Sequence, residues 1–123
     1  MSVLHVTYLV CIRPYVVSSS TVLEIGPGRG AWKECFLEAR EVWAIDALDG
    51  EYNGFNEYVG IRRNVRYLQV RDFEARELPD DYFDYMFSFG AVCHVSFEGM
   101  ARDAETLFEK LRPGAECFWM IAD

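Results

Sequence analysis

The chain has 123 residues, of which 51% are hydrophobic and 15% aromatic, enough to bury one sizeable core and no more, so a single domain over 1–123 is expected. Its 20 acidic against 12 basic side chains leave a formal charge of -8, which argues against a protein that lives by holding phosphate backbones or anionic membrane, since both select a basic face. A neutral or cationic small molecule suits that balance, with no nucleic acid and no membrane as partner.

The four cysteines, Cys11, Cys35, Cys93 and Cys117, lie far apart without a C-x-x-C pair, so neither a metal site nor a disulfide framework is suggested. Met1 to Ile12 is apolar, but no Lys or Arg precedes the apolar run. It is too short to span a bilayer and lacks a small-residue cleavage site, and a soluble cytoplasmic protein is expected.

Residues 1–20 form a lead-in segment whose apolar spacing is too dense to separate helix from strand. We read it as a helix, which Pro14 interrupts, followed by a serine linker at 18–20. Thr21-Val22-Leu23-Glu24-Ile25 is a β-branched apolar run that abuts Gly26-Pro27-Gly28-Arg29-Gly30-Ala31. It predicts strand, tight turn, helix. Glycines at alternate positions admit backbone angles closed to other residues and let a ligand approach the main chain. Free N–H groups at the start of the following helix would face that ligand.

Trp32, Cys35, Phe36 and Ala39 then recur at i, i+3, i+4 and i+7, the pattern of an amphipathic helix. Val42 to Ile45 predicts a second, buried strand with Asp46 at its tip. Tyr52, Phe55, Tyr58, Val59 and Ile61 suggest an aromatic helix weakened by Gly50, Gly54 and Gly60. Val65 to Val70 is a third strand, Arg71 to Asp81 a polar return punctuated by Pro79, and Phe83 to Phe89 a fourth strand closed by Gly90. Ser96 can cap a helix with Met100, Ala104, Leu107, Phe108 and Leu111 as its apolar stripe, stopped by Arg112-Pro113-Gly114. Cys117 to Ala122 is the fifth strand.

Strands alternating with helices over short connections require parallel pairing through right-handed crossovers. The expected fold is α/β, a doubly wound, Rossmann-like and mostly parallel sheet with helices on both faces. Ligands of such sheets lie across the carboxyl ends of the strands. The glycines follow the first strand, Asp46 the second, Asp72 the third, and Ser88 to His94 the fourth.

In that order these residues resemble the class I S-adenosylmethionine-dependent methyltransferases. Glu24 with Gly26, Pro27, Gly28 and Gly30 is similar to the family's first motif, which implies contact with the cofactor S-adenosyl-L-methionine. Asp46 resembles the carboxylate that holds the ribose hydroxyls, and Arg71-Asp72-Phe73 the segment that reads the adenine. Ser88 through His94 resembles the stretch beside the methionine end and the substrate, and Leu111 to Gly114 the turn before the fifth strand. The resemblance implies methyl transfer to a small-molecule acceptor, and the acidity of the chain with the absence of a basic face points to a hydroxylated metabolite such as a sugar. His94, the only histidine downstream of the glycine turn, is then the candidate catalytic base.

Plainer roles stay open for these positions. Asp46 can cap the next turn, Asp72 can cap or pair with Arg71 or Arg76, and His94 can be a loop or helix-entry residue. Gly26-x-Gly28-x-x-Ala31 also satisfies a dinucleotide fingerprint, with Asp46 at the distance expected for NAD. Class I methyltransferases usually continue past the fifth strand, whereas this sequence stops at Asp123. Three expectations follow: a chain truncated after that strand, a homodimer through its open apolar edge, or a cofactor-binding module without transferase activity.

Overall fold

The computed structural model describes residues 1–70, 75–89 and 97–120. Its centre is a five-stranded sheet of β1 (Thr21–Ile25), β2 (Glu41–Asp46), β3 (Val65–Gln69), β4 (Phe83–Ser88) and β5 (Leu111–Trp119), ordered β3-β2-β1-β4-β5. Every pairing is parallel. The order reverses at β1, which lies between β2 and β4, and that is where a doubly wound sheet opens a crevice. All five residues of β1 are buried, as expected of a strand covered on both faces.

The two faces have separate cores. On one, Val22, Val42, Tyr85 and Phe87 pack against Ile12, Trp32, Phe36 and Ala39. On the other, Leu23, Ile25, Ile45 and Met86 pack against Ala75, Leu78 and Leu107. Helices therefore cover both faces. The lead-in is α1 (Val3–Thr7) followed by a π-helical turn over Tyr8–Ile12. It is anchored where the Tyr85 hydroxyl donates to the Cys11 carbonyl at 2.6 Å.

Four elements differ from the sequence-based expectation. After the glycine turn, α2 is one turn long, Lys33–Phe36, although Trp32, Phe36 and Ala39 are buried as their spacing predicts. The aromatic segment splits into α3 (Gly50–Asn53) and α4 (Phe55–Val59), because Gly54 adopts the left-handed conformation, φ +66°, and ends α3. In α5 (Phe97–Phe108) the buried positions among those described are Gly99, Asp103 and Leu107, followed after the helix by Lys110; the side chain of Met100 lies outside them. Ala104 and Phe108 face outward, Phe108 with 76% of its surface exposed.

The fifth strand also begins earlier than expected. Leu111 pairs with Phe83, and after an irregularity that takes in Pro113 and Gly114, Glu116 pairs with Tyr85. Proline is tolerated there because the bulge removes the need for its N–H and, among the described residues, β5 is the outermost strand of the sheet. The free cysteines among the described residues are Cys11, Cys35 and Cys117. Among the described residues no helix is long and apolar enough to cross a membrane.

Candidate cofactor-binding site

A cavity of about 480 Å³ opens at the carboxyl ends of the strands. Ile25, Gly26 and Gly28 line it from β1, Ile45 to Leu48 from β2, Val70 from just past β3, Phe89 from just past β4, and Asn53 from α3. Four strand tips thus contribute to one crevice. Its walls are largely apolar, with few polar groups fixing orientation, as in most small-molecule sites.

The glycine turn is built by main-chain bonds. The Gly26 N–H donates to the Ile45 carbonyl at 2.8 Å and the Gly30 N–H to the Pro27 carbonyl at 2.9 Å. Gly26, Gly28 and Gly30 all have positive φ, at 68°, 56° and 93°, so the expectation of left-handed backbone holds at each. Gly28 and Gly30 need glycine for different spatial reasons. Among the described residues a Cβ on Gly28 would meet nothing within 4 Å, whereas one on Gly30 would lie 2.4 Å from Val59 Cγ2. The first glycine keeps ligand space clear; the second lets α4 pack against the turn.

Asp46 occupies the β2 tip. Its Oδ2 accepts from the Gly28 N–H at 3.2 Å and its Oδ1 from the Leu48 N–H at 3.0 Å. The capping role and a site role therefore coexist, since each carboxylate oxygen keeps a lone pair for a ligand donor. This one side chain ties the glycine turn to the loop after β2.

Glu24 is buried, with 4% of its surface exposed. It lines a nearly filled cavity of about 10 Å³ with Lys33, Phe36, Leu37, Val42, Phe55, Val59 and Val65, not the large crevice. Burial first, and the charge of Asp46 second, push its carboxyl up to about 8, so it is protonated at neutral pH. Lys33 does not neutralise it: its ammonium donates to the Tyr58 carbonyl at 2.9 Å and sits 4.1 Å from the centre of the Tyr58 ring.

Pro27 is buried within the turn. Ser88 ends β4 beside Ile25 and Trp119, is 1% exposed, and its Oγ has no hydrogen-bond partner among the described residues. Asp72, Phe73 and His94 lie outside the described residues. The sequence reading included Phe89 in the stretch from Ser88 to His94 but passed over Leu48, Asn53 and Val70. Val70 and Phe89 were the last residues of expected strands, a position that in this topology faces the crevice. Leu48 and Asn53 carried no signal of their own.

The residues present fit a nucleoside-containing cofactor. The backbone at Gly28 leaves open the space a side chain would fill, a carboxylate stands at the strand tip, and apolar side chains form the walls.

A family model described as "Methyltransferase domain" matches residues 23–118. Hemolysin A of Brachyspira hyodysenteriae is 28% identical over 98 residues, covering 77% of this chain and 38% of that protein. An S-adenosylmethionine-dependent methyltransferase structure from Mesorhizobium loti superposes with a TM-score of 0.70 at 23% identity, covering 88% of this chain and 50% of that one. The N-methyltransferase NodS of Bradyrhizobium japonicum WM9, solved with S-adenosyl-L-homocysteine, gives 0.77 at 15% identity, covering 94% and 58%. The chain thus spans about half the length of these structures and less of the haemolysin, and at these identities the structural likeness speaks for the fold. With most of its length inside the family model, the chain belongs to the class I S-adenosylmethionine-dependent methyltransferases.

Proposed function

We propose that the crevice binds S-adenosyl-L-methionine and that the protein transfers the methyl group to a small-molecule acceptor such as a hydroxyl of a sugar or other metabolite. The observation that carries the cofactor reading is the convergence on one cavity of Gly28, with space where a side chain would stand, and Asp46, fixed by two main-chain N–H groups. The cofactor supplies an activated methyl on a sulfonium. What the chain supplies is position. Asp46 is suited to accept from the ribose hydroxyls, Gly26 and Gly28 to let the ligand lie against main chain, and Asp72 and Phe73 to meet the adenine. Aligning acceptor with methyl is worth up to roughly 7 to 11 kcal/mol in such reactions, so little acid-base chemistry is needed. For a hydroxyl acceptor, His94 takes the proton.

Glu24 acts from behind the turn. Its buried carboxyl responds to the charge of Asp46, so a cationic ligand in the crevice favours its ionised form. Ser88 supports the tip of β4 beside the glycine turn. The acidic balance of the chain favours a small acceptor over nucleic acid and suits a cytoplasmic protein of one domain over 1–123.

We further propose a homodimer through β5. That strand is a sheet edge, and Phe108 stands exposed over a groove of about 210 Å³ that it shares with Met86, Ala104, Leu111, Cys117 and Trp119. Light scattering after gel filtration should give twice the chain mass; a clean monomer refutes the dimer.

Titration calorimetry with S-adenosyl-L-homocysteine tests the cofactor assignment. Wild type should bind in the micromolar range, and Asp46→Ala should weaken binding by about 1.5 to 3 kcal/mol, the worth of hydrogen bonds to a charged group. Unchanged affinity in that variant would sink the role given to Asp46. A binding-competent chain with no turnover on any acceptor would favour the cofactor-binding module.

A further inference from the structure

A chain of hydrogen bonds runs along the wall of the crevice from Asp46 to Asn53. The Leu48 N–H donates to Asp46 Oδ1 at 3.0 Å. The Leu48 carbonyl accepts from the Tyr67 hydroxyl at 2.7 Å, and Asn53 Nδ2 donates to that same hydroxyl at 2.8 Å. Tyr67 rises from β3, where it pairs with Ala44 of β2. Its ring lies 4.8 Å from that of Phe55, and a Cβ on Gly50 would come within 3.0 Å of it, so α3 lies directly on the tyrosine.

The direction of these bonds is fixed by chemistry. A phenol has one proton, and a carbonyl can only accept, so the Tyr67 proton goes to Leu48. The hydroxyl must then accept from Asn53, which settles which end of the amide points at the tyrosine. Burial pushes the Tyr67 phenol up to about 12, so it keeps that proton at any physiological pH. Asn53 Oδ1 is left as an acceptor without a hydrogen-bond partner among the described residues, on a side chain that lines the crevice.

We propose that Asn53 contacts the cofactor, reading a hydrogen-bond donor on its nucleoside half through Oδ1, and that Tyr67 is the positioning residue that aims this oxygen. Beyond Asp46, the crevice-lining side chains among the described residues other than Asn53 are hydrocarbon. A nucleoside carries donors of two kinds, ribose hydroxyls and an exocyclic amine, and an acceptor held in one orientation discriminates between a ligand that offers a donor there and one that does not.

This rests on the cofactor reading above, and the experiment separates the two. S-Adenosyl-L-homocysteine and adenosine are titrated into wild type, Asn53→Leu, Tyr67→Phe and the double variant, each checked for folding by urea denaturation. Asn53→Leu should weaken both ligands by the same factor, about 3- to 10-fold for one neutral hydrogen bond. Tyr67→Phe should weaken both by a smaller factor and add nothing in the Asn53→Leu background, since it acts through Asn53.

Three analogues, 2′-deoxyadenosine, 3′-deoxyadenosine and N6,N6-dimethyladenosine, then locate the donor. The one that lacks it should bind wild type and Asn53→Leu equally. Wild-type affinity in Asn53→Leu, a loss confined to S-adenosyl-L-homocysteine, additive losses in the double variant, or discrimination by none of the analogues would each overturn the proposal. Failure of wild type to bind S-adenosyl-L-homocysteine would instead refute the cofactor reading itself.

Discussion

Replacing Glu24 with glutamine should change how the stability of the protein depends on pH. The carboxyl titrates near 4.5 when unperturbed, and burial with the charge of Asp46 raises it to about 8 in the folded chain. Between those values the folded state holds a proton that the unfolded state has released, so stability falls as pH rises. The contribution is fully present below about pH 4.5, declines through neutrality and is lost above about pH 8. At about 1.36 kcal/mol per unit the whole effect is on the order of 5 kcal/mol, comparable with the roughly 5 to 15 kcal/mol total of a typical domain. Glutamine has the same shape and no proton to lose. Urea denaturation of wild type and Glu24→Gln at intervals from pH 5 to pH 9 isolates the group, because other titrations are common to both. Cys35, whose thiol burial and nearby acids push to about 11, stays protonated over that range. The curves should nearly coincide at pH 5 and diverge by several kcal/mol at pH 9, with the variant more stable. Parallel curves would refute the claim that Glu24 is buried as a neutral acid.

The two glycines should fail differently. Gly30→Ala drives a Cβ to 2.4 Å from Val59 and should cost about 1 to 3 kcal/mol in urea denaturation for overpacking alone, with the left-handed backbone adding to it. Gly28→Val should cost both cofactor affinity and stability, read by calorimetry beside denaturation, because its side chain fills the open space and a β-branched residue strains the left-handed backbone there. Tyr85→Phe removes the bond to the Cys11 carbonyl and should destabilise by about 1 to 3 kcal/mol if that acceptor is left unpaired, with earlier proteolysis in the first 12 residues as its signature. His94→Ala should leave cofactor affinity intact and lower turnover on a hydroxyl acceptor about 10²- to 10⁴-fold; equal loss of binding and turnover would make the histidine structural.

What the sequence made legible depended on how local the physics was. The glycine turn could be read because a left-handed backbone and a close main-chain approach leave few other residue choices, and Asp46 because a carboxylate ending an apolar run marks a strand tip. The burial of Trp32, Phe36 and Ala39 was legible from spacing even though the helix closes after Phe36. Periodicity failed on α5 because Ala104 and Phe108 repeat as regularly as the buried positions, which include Asp103, a residue an apolar stripe passes over. Asn53 and Tyr67 were invisible for another reason. They lie 14 positions apart and meet only because Gly54 ends α3 and the β2–β3 register raises Tyr67 beneath it. Pro113 read as a stop because proline is barred from the regular ladder of central strands; the irregular pairing of β5 where it falls makes it acceptable.

The two acids show how the sheet divides labour around the crevice. Glu24 pairs in register with Ala44, and Asp46, two residues further along β2, leaves the strand on the same face as Ala44. Two carboxyls brought together on one side of a sheet do not both ionise cheaply. The surroundings decide between them: Asp46 receives two main-chain N–H groups at the open mouth, while Glu24 is enclosed by Phe36, Leu37, Val42, Phe55, Val59 and Val65. The proton therefore stays on Glu24, an uncharged acid behind the crevice. The outer carboxylate keeps lone pairs for a further donor, and the inner acid ionises only on a rise in pH past about 8.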